Sequence, residues 1–190
     1  MDTVADGSGG RFVEVTLGGL KIRLDFGFPA LLALILLASE KAFLLQTLLV
    51  CILHECGHGI AMCATGAGLR EIRFGGAGIQ MVTGTAAVSR RGMLCISLAG
   101  PAVNLLFAAL LARICPEAAM LHLGIGVFNL LPYRCLDGGT AIRLWWDSQA
   151  LTWLCGILTA VLLSGLLFFR IANPVLYLLL VYLMVNESLR

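Results

Sequence analysis

Charge is what this sequence has least of. Only 13% of its 190 residues are Asp, Glu, Lys or Arg, while 59% are hydrophobic. A soluble domain carries about a quarter charged residues, so the composition excludes an ordinary soluble protein. The net charge of +2 says little about partners; no nucleic-acid partner is expected. The sequence predicts a membrane protein, and its first partner is the lipid bilayer.

Paired cysteines and a signal sequence are also lacking. The seven cysteines are odd in number and scattered, with no CxxC pair, which argues against structural disulfides and against a zinc-ribbon site. The first ten residues, "MDTVADGSGG", have no basic region followed by an apolar core, so no cleavable signal peptide is expected. We interpret residues 1–10 as a disordered tail.

Long runs without charge are what the sequence has instead. Gly92–Ala112, Ser148–Phe169 and, across its histidines, Ala42–Thr65 are long enough to cross a ~30 Å hydrocarbon layer as helices. The shorter runs are Phe26–Ser39, Ala118–Tyr133 and Ile171–Asn186. The first of these also fits an interfacial or re-entrant helix. We therefore predict an all-α polytopic membrane protein with about six transmembrane helices.

The basic residues are divided unequally between the two sides of such a protein. If there are six spans, ten of the 13 Lys and Arg residues fall on one side and three on the other. The side richer in Lys and Arg is normally cytosolic. The sequence therefore predicts that both termini and the loop Thr65–Arg91 are cytosolic.

Two segments have the alternating pattern of β-strands instead. In "FVEVTLGGLKIRLDF", apolar and polar residues alternate on both sides of Gly18-Gly19, which predicts a β-hairpin over residues 11–26. The loop stretch "REIRFGGAGIQMVTG" predicts short strands at Glu71–Phe74 and Ile79–Val82. A small β-sheet is expected on the cytosolic side.

The stretch "CILHECGHGIAM" places ionisable groups inside an apolar run. On a helix, His54 and His58 lie one turn apart on the same face, so both imidazoles can reach one metal ion. Glu55 is rotated by ~100° and remains close enough to hold the attacking water. The alternative is polar packing in a helix bundle, but ionisable groups in a membrane span are costly and normally mark function. Cys51 shares the stripe, yet a fourth protein ligand would exclude water, so we interpret it as packing.

A catalytic zinc site usually has a third protein ligand, and Asp137 is the strongest candidate. It lies in "FNLLPYRCLDGG", where Asn129, Pro132 and Gly138-Gly139 interrupt a helix end. Broken backbone at membrane depth is tolerated where it is buried in protein or lines a watery cavity, which suits a ligand loop. The alternative is a turn aspartate before Gly-Gly.

Three motifs together resemble those of the site-2 protease family of intramembrane zinc metalloproteases. They are "HECGH", "ISLAGPAVNLL" (Ile96–Leu106) and "FNLLPYRCLDGG" (Phe128–Gly139). A chain that begins with a β-hairpin and has no PDZ insertion is most similar to the branch that includes the sporulation factor IVFB. The resemblance implies a single domain over residues 11–190, with a catalytic core over residues 42–137.

The same resemblance implies the site residues and the activity. One Zn²⁺ per chain would be held by His54, His58 and Asp137, with Glu55 as the catalytic acid/base. Asn129 would contact the substrate backbone, although an ordinary helix-end asparagine is the alternative. The implied activity is hydrolysis of peptide bonds in membrane-embedded or membrane-associated proteins of a bacterial cell membrane, as in regulated intramembrane proteolysis of a pro-sigma factor or another transcription-factor precursor. An inhibitory membrane partner also fits this family.

The chain departs from that branch in its loop and in its length. Cys135 replaces the second proline of the pattern Asn-x-x-Pro-x-x-Pro-x-Asp-Gly, which bears on substrate fit rather than on zinc. No CBS domain follows the last predicted span, so regulation by ATP through such a domain is not expected.

A predicted strand and two further polar residues lie outside the predicted zinc ligands. A substrate must be extended to be cut, and strand addition along Ile79, Gln80 and Met81 is one way to hold it. Asn104 is interpreted as a cross-link between helices, and His122 as a structural histidine. The alternative functions are a non-proteolytic relative that sequesters substrates and a small metal transporter. A sequestering relative would be expected to lack one of the site residues. A metal transporter would be expected to have further metal ligands along a path on either side of the site.

Overall fold

The computed structural model describes residues 2–5, 11–30, 33, 41–75, 78–84, 87–170 and 174–188. These residues form two compact units, Met1–Val127 and Phe128–Arg190. We call them the first and the second unit. The single domain expected over residues 11–190 stays a prediction.

A five-stranded sheet belongs to the first unit. Its strands, in their spatial order, are β1 (Asp2–Ala5), β2 (Arg11–Leu17), β3 (Leu20–Asp25), β4 (Leu69–Gly75) and β5 (Gly78–Thr83). β3 and β4 are parallel and the other neighbours are antiparallel. The turn between β2 and β3 needs positive φ at Gly18 and Gly19, which glycine adopts without strain. The predicted hairpin and both predicted loop strands are confirmed.

The first strand corrects one expectation from the sequence. Asp2–Ala5 pairs antiparallel with β2, with Asp2 opposite Glu14 and Ala5 opposite Arg11. The prediction of a disordered tail is therefore wrong for these residues; Met1 and residues 6–10 lie outside the described part of the chain. Thr3 and Val4 are β-branched and favour a strand. The open edge of β2 offers them backbone partners.

Charged side chains link three strands of the sheet. The Arg23 Nε atom lies 2.7 Å from Glu14 Oε2 and 3.4 Å from Glu71 Oε1, and Arg73 Nε lies 2.7 Å from the same Glu71 oxygen. The hydrogen bond from Arg73 holds the pKa of the Glu71 carboxyl below its usual range, with a smaller contribution from the charge of Arg23. We call these four residues the sheet ladder. It ties β2 to β4 across β3.

Six helices with defined bounds accompany the sheet in the described part of the chain. They are α1 (Lys41–Ala64), α2 (Arg90–Leu111), α3 (Pro116–Asn129), α4 (Asp137–Arg143), α5 (Gln149–Phe168) and α6 (Pro174–Ser188). Within the part that the structure describes, three stretches are long and apolar enough to cross a bilayer, namely Ala42–Ala64, Arg90–Leu111 and Gln149–Phe168.

Three of the described helices are therefore candidate membrane spans. α3 has 14 residues, which is ~21 Å of helix and shorter than a hydrocarbon layer. Leu176–Ser188 is a shorter apolar helix. Most of the predicted span Phe26–Ser39 lies outside the described residues. The total of six stays a prediction.

The outer faces of the long helices are apolar. Ile60 on α1 is 69% exposed and Trp153 on α5 is 68% exposed. Both helices also carry few charged residues. In water such surfaces would drive aggregation. Their length, composition and apolar outer faces are those of helices that face lipid, and the chain is a membrane protein.

Candidate metal centre

Glycine packing brings the histidine helix against α2. A Cβ atom added at Gly57 of α1 would lie 2.7 Å from the Ala99 carbonyl oxygen and 2.9 Å from a methyl carbon of Val103. Only glycine permits this approach of two backbones. Since Gly57 lies between them in sequence, His54 and His58 are brought close to α2, and both side chains are buried.

The ring of His58 is oriented by the backbone of α2. Its Nδ1 atom donates a hydrogen bond to the Ile96 carbonyl oxygen at 2.7 Å. A carbonyl can only accept, so the proton of the neutral ring lies on Nδ1. The lone pair of Nε2 is therefore available to a metal ion. A second hydrogen bond of this kind is the usual support for a metal-binding histidine.

The two Nε2 atoms point toward each other. They are 3.1 Å apart, and two nitrogens bound to one tetrahedral zinc are ~3.3 Å apart because each Zn–N bond is ~2.0–2.1 Å. Gly100 of α2 lies beside them: a Cβ atom there would be 2.6 Å from His54 Nε2 and closer still to His58 Nε2. The missing side chain leaves room for the ring nitrogens, so the donor set fits zinc.

Glu55 completes a group that could hold a metal ion. One carboxylate oxygen of Glu55 and one ring nitrogen from each histidine lie within 4.8 Å of one another. The sequence spacing predicted this proximity. Two imidazoles with an adjacent carboxylate are the set that binds zinc and leaves a carboxylate to move a proton.

Two further buried residues extend this group, and the sequence analysis missed their connection to it. Asn104 of α2 lies 3.1 Å from His54 Nδ1 through its side-chain nitrogen. Its side-chain oxygen lies 3.2 Å from His122 Nδ1 on α3. Asn104 therefore does cross-link helices, as expected, but one of its partners is a predicted metal ligand. Asn104 follows Gly100 by about one helical turn and so lies on the same face of α2. This spacing is the feature of the sequence that could have indicated its contact with His54.

The loop that carries Asp137 belongs to the second unit. α3 ends at Asn129 and α4 begins at Asp137, which confirms the interrupted helix. Asp137 starts a helix and does not occupy a turn, because Gly138 and Gly139 are themselves helical. A Cβ atom at either glycine would collide with a loop carbonyl, that of Leu130 or that of Tyr133. The roles of Asp137 as third ligand and of Asn129 in substrate contact stay predictions.

The residues predicted to bind substrate lie on β5. Ile79, Gln80 and Met81 are in the last strand of the described sheet order, so one edge of that strand has no neighbour among the described strands. Met81 packs against α1: its sulfur and terminal methyl lie 3.7 Å from where a Cβ atom of Gly59 would be. The edge strand therefore runs beside the helix that carries the histidines.

Comparison with known proteins shows a likeness in structure. No family model and no curated protein matches the sequence. Among solved structures, a site-2 protease from Methanocaldococcus jannaschii matches with a TM-score of 0.67, covering 93% of this chain and 94% of that chain at 21% sequence identity. This chain has the site-2 protease fold. The fold confirms the resemblance drawn from the three motifs, while the narrower likeness to the IVFB-like branch stays a prediction.

Proposed function

We propose that the protein is an intramembrane zinc endopeptidase that cuts membrane-embedded or membrane-associated proteins. The observation that carries the proposal is the convergence of two imidazole Nε2 atoms and the Glu55 carboxylate on a helix long enough to span a bilayer. In the proposed site one zinc is held by His54, His58 and Asp137. Both termini face the cytosol of a bacterial cell in this proposal, since the basic residues are concentrated on that side.

The chemistry assigns a separate task to each residue. Zinc in such a site lowers the pKa of water and polarises a carbonyl group. His58 keeps its Nε2 lone pair toward the metal because Ile96 holds its Nδ1 proton. Glu55 takes the proton from the attacking water and later gives it to the nitrogen of the leaving amine. The peptide bond breaks, and the two products are a carboxylate and an amine.

Substrate presentation is assigned to the edge of β5. A helical substrate has its carbonyl groups engaged in its own hydrogen bonds, so it must become extended before cleavage. An extended segment can pair with the open edge of a strand, and β5 runs beside α1 through the packing of Met81 near Gly59. We therefore assign Ile79, Gln80 and Met81 to backbone pairing with the substrate, and Asn129 to a further substrate contact.

The test is co-expression of the protein with a panel of single-span membrane proteins. Wild type is compared with Glu55→Gln, which keeps the size of the side chain but removes the base, and with Glu117→Gln as a control on an exposed acid of α3. A positioned acid/base contributes ~10²–10⁴-fold to rate. Cleavage should fall by at least ~10² in Glu55→Gln and stay unchanged in Glu117→Gln, while zinc content is unchanged in both variants.

The co-expression experiment, together with a zinc-uptake assay in proteoliposomes, decides between the proposal and its alternatives. If wild type and Glu55→Gln process every substrate equally, the protease assignment is wrong. Substrates that co-purify equally with both proteins and remain intact would favour a sequestering relative. Zinc accumulation in proteoliposomes that contain the protein would favour a transporter.

A further inference from the structure

We propose that Asn104 and His122 form a positioning relay that fixes the proton of His54 for metal binding. The proposal rests on the proposed function, because it takes His54 Nε2 as a zinc ligand. It assigns a role to two buried side chains on two other helices, neither of which touches the metal. We call His54, Asn104 and His122 the relay.

The first step concerns the ring of His54. A neutral imidazole carries one proton, on Nδ1 or on Nε2. If Nε2 is to bind zinc, the proton must lie on Nδ1, and that N–H needs an acceptor in a buried site. The Asn104 amide lies beside Nδ1, with its nitrogen 3.1 Å away in the orientation that the structure shows. Asn104 is fully buried.

The second step concerns the amide, which has one donor end and one acceptor end. To accept from His54 Nδ1–H, Asn104 must turn its oxygen toward His54, and its NH₂ group then faces His122. His122 Nδ1 must in turn accept, so its own proton lies on Nε2. A half-turn of the amide exchanges the two ends without moving either ring. Binding of zinc at His54 thus selects one protonation pattern along the whole relay.

Close packing surrounds the side chains of the relay. His122 is 3% exposed, and its ring stacks on Phe107 with centroids 5.2 Å apart and an interplanar angle of 15°. Gly126 of α3 approaches α2 so closely that a Cβ atom there would lie 3.1 Å from the Asn104 Cβ atom. Both side chains are therefore closely packed, which limits their movement away from each other. A flexible pair could not fix the tautomer of a ligand.

The experiment measures zinc affinity by competition with a chelator, in purified protein in detergent. Asn104→Leu removes the acceptor and should weaken zinc binding ~10–100-fold, the usual loss for an outer-shell partner. Asn104→Asp still accepts from His54 Nδ1–H and should stay within a few-fold of wild type. Thr159→Val is the matched control, since it also removes a buried side-chain hydrogen bond, here that of a hydroxyl in the second unit; it should not change zinc affinity.

A spectroscopic measurement separates positioning from simple helix packing. In zinc-loaded protein with ¹⁵N-labelled histidine, His122 should be protonated on Nε2 and unprotonated on Nδ1. Equal zinc affinity in Asn104→Leu and wild type, or a proton on His122 Nδ1 in the loaded protein, would overturn the relay and leave the protease assignment intact. If His58→Ala binds zinc as tightly as wild type, the metal site itself is wrong, and the relay falls with it.

Discussion

Each unit of the molecule buries a polar cluster among its described residues, and these two clusters differ in composition. In the first unit, the relay and His58 consist of three imidazole rings and one amide. The second unit instead buries an ion pair between Arg143 and Glu187. Buried ion pairs are costly to desolvate and are seldom a gain over apolar packing. Neutral groups with movable protons suit metal ligands, while fixed charges suit the anchoring of backbone.

We define the charged cluster as Arg134, Arg143, Thr152 and Glu187. Its contacts show which parts of the second unit it holds together. Glu187 accepts from the Arg134 backbone N–H at 2.9 Å and from the Thr152 hydroxyl at 3.2 Å. Arg143 donates to the Pro132 carbonyl oxygen at 2.9 Å. The cluster therefore ties the end of α6 to the loop before Asp137.

The largest effect should come from filling the space between the two metal-facing nitrogens. In Gly100→Ala the new methyl group would overlap both His54 Nε2 and His58 Nε2, so the rings must separate. Zinc affinity should fall by more than the ~100-fold upper limit for an outer-shell change. Gly124→Ala is the control, because a Cβ atom there meets no atom within 4 Å. Equal zinc titrations for the two variants would contradict this description of the site.

The next effect tests whether the second unit contributes to the metal centre. Asp137→Ala removes the proposed third ligand, and zinc should bind at least ~10–100-fold more weakly. Asp137→Asn is a useful companion, since it keeps the shape but loses the charge, and it should also bind weakly. Zinc that stays equally tight in Asp137→Ala would mean that another residue supplies the third ligand.

Breaking the charged cluster should lower stability, measured as thermal unfolding of zinc-free protein in detergent. Glu187→Gln takes from Arg143 the buried carboxylate that pairs with it, and loss of one member of such a pair costs ~3–5 kcal/mol. The double variant Arg143→Met with Glu187→Leu removes the stranded charge but also the hydrogen bonds to Pro132 and Arg134, so it should recover only part of that loss. Glu117→Gln is the control, because Glu117 is an exposed acid of α3 outside the charged cluster. An unchanged unfolding temperature in Glu187→Gln would contradict the anchoring role.

The smallest effect concerns the sheet ladder and its dependence on pH. The pKa of Glu71 is lowered in the folded protein, so its contribution to stability is present above the unfolded value of ~4.3. That contribution is lost as the pH falls through the lowered folded value. Glu71→Gln should cost less than ~1 kcal/mol at pH 7. The difference from wild type should shrink as the solution is made more acidic than the folded pKa, and a difference that grows on acidification would oppose this sign.

Local patterns allowed part of this molecule to be predicted from its sequence. The i, i+4 spacing of His54 and His58 and the turn at Gly18-Gly19 depend on neighbours in the chain, and both were predicted correctly. The contacts of Asn104 were not, because its partners are 50 and 18 residues away. Glu187 and Arg143 are 44 residues apart. Such pairs are set by helix packing, which no local pattern records.

The glycines illustrate the same limit. Gly138 and Gly139 read in sequence as a turn signal, whereas in the structure they allow a helix start to pack against loop carbonyls. Strand β1 was missed because its residues gain their partners only from the edge of β2. In each case the residue type was informative, but the reason for it depended on a distant segment.

The most direct test of the account is X-ray absorption at the zinc edge of the purified, zinc-loaded protein. The account predicts one zinc per chain with two imidazole nitrogens at ~2.0–2.1 Å, oxygen in the remaining positions and no sulfur neighbour. The seven cysteines of the chain, Cys51 on the histidine helix among them, make sulfur the informative alternative. A neighbour at ~2.3 Å, the Zn–S distance, or the same spectrum from His54→Ala, would contradict the claim that His54 and His58 form the metal centre.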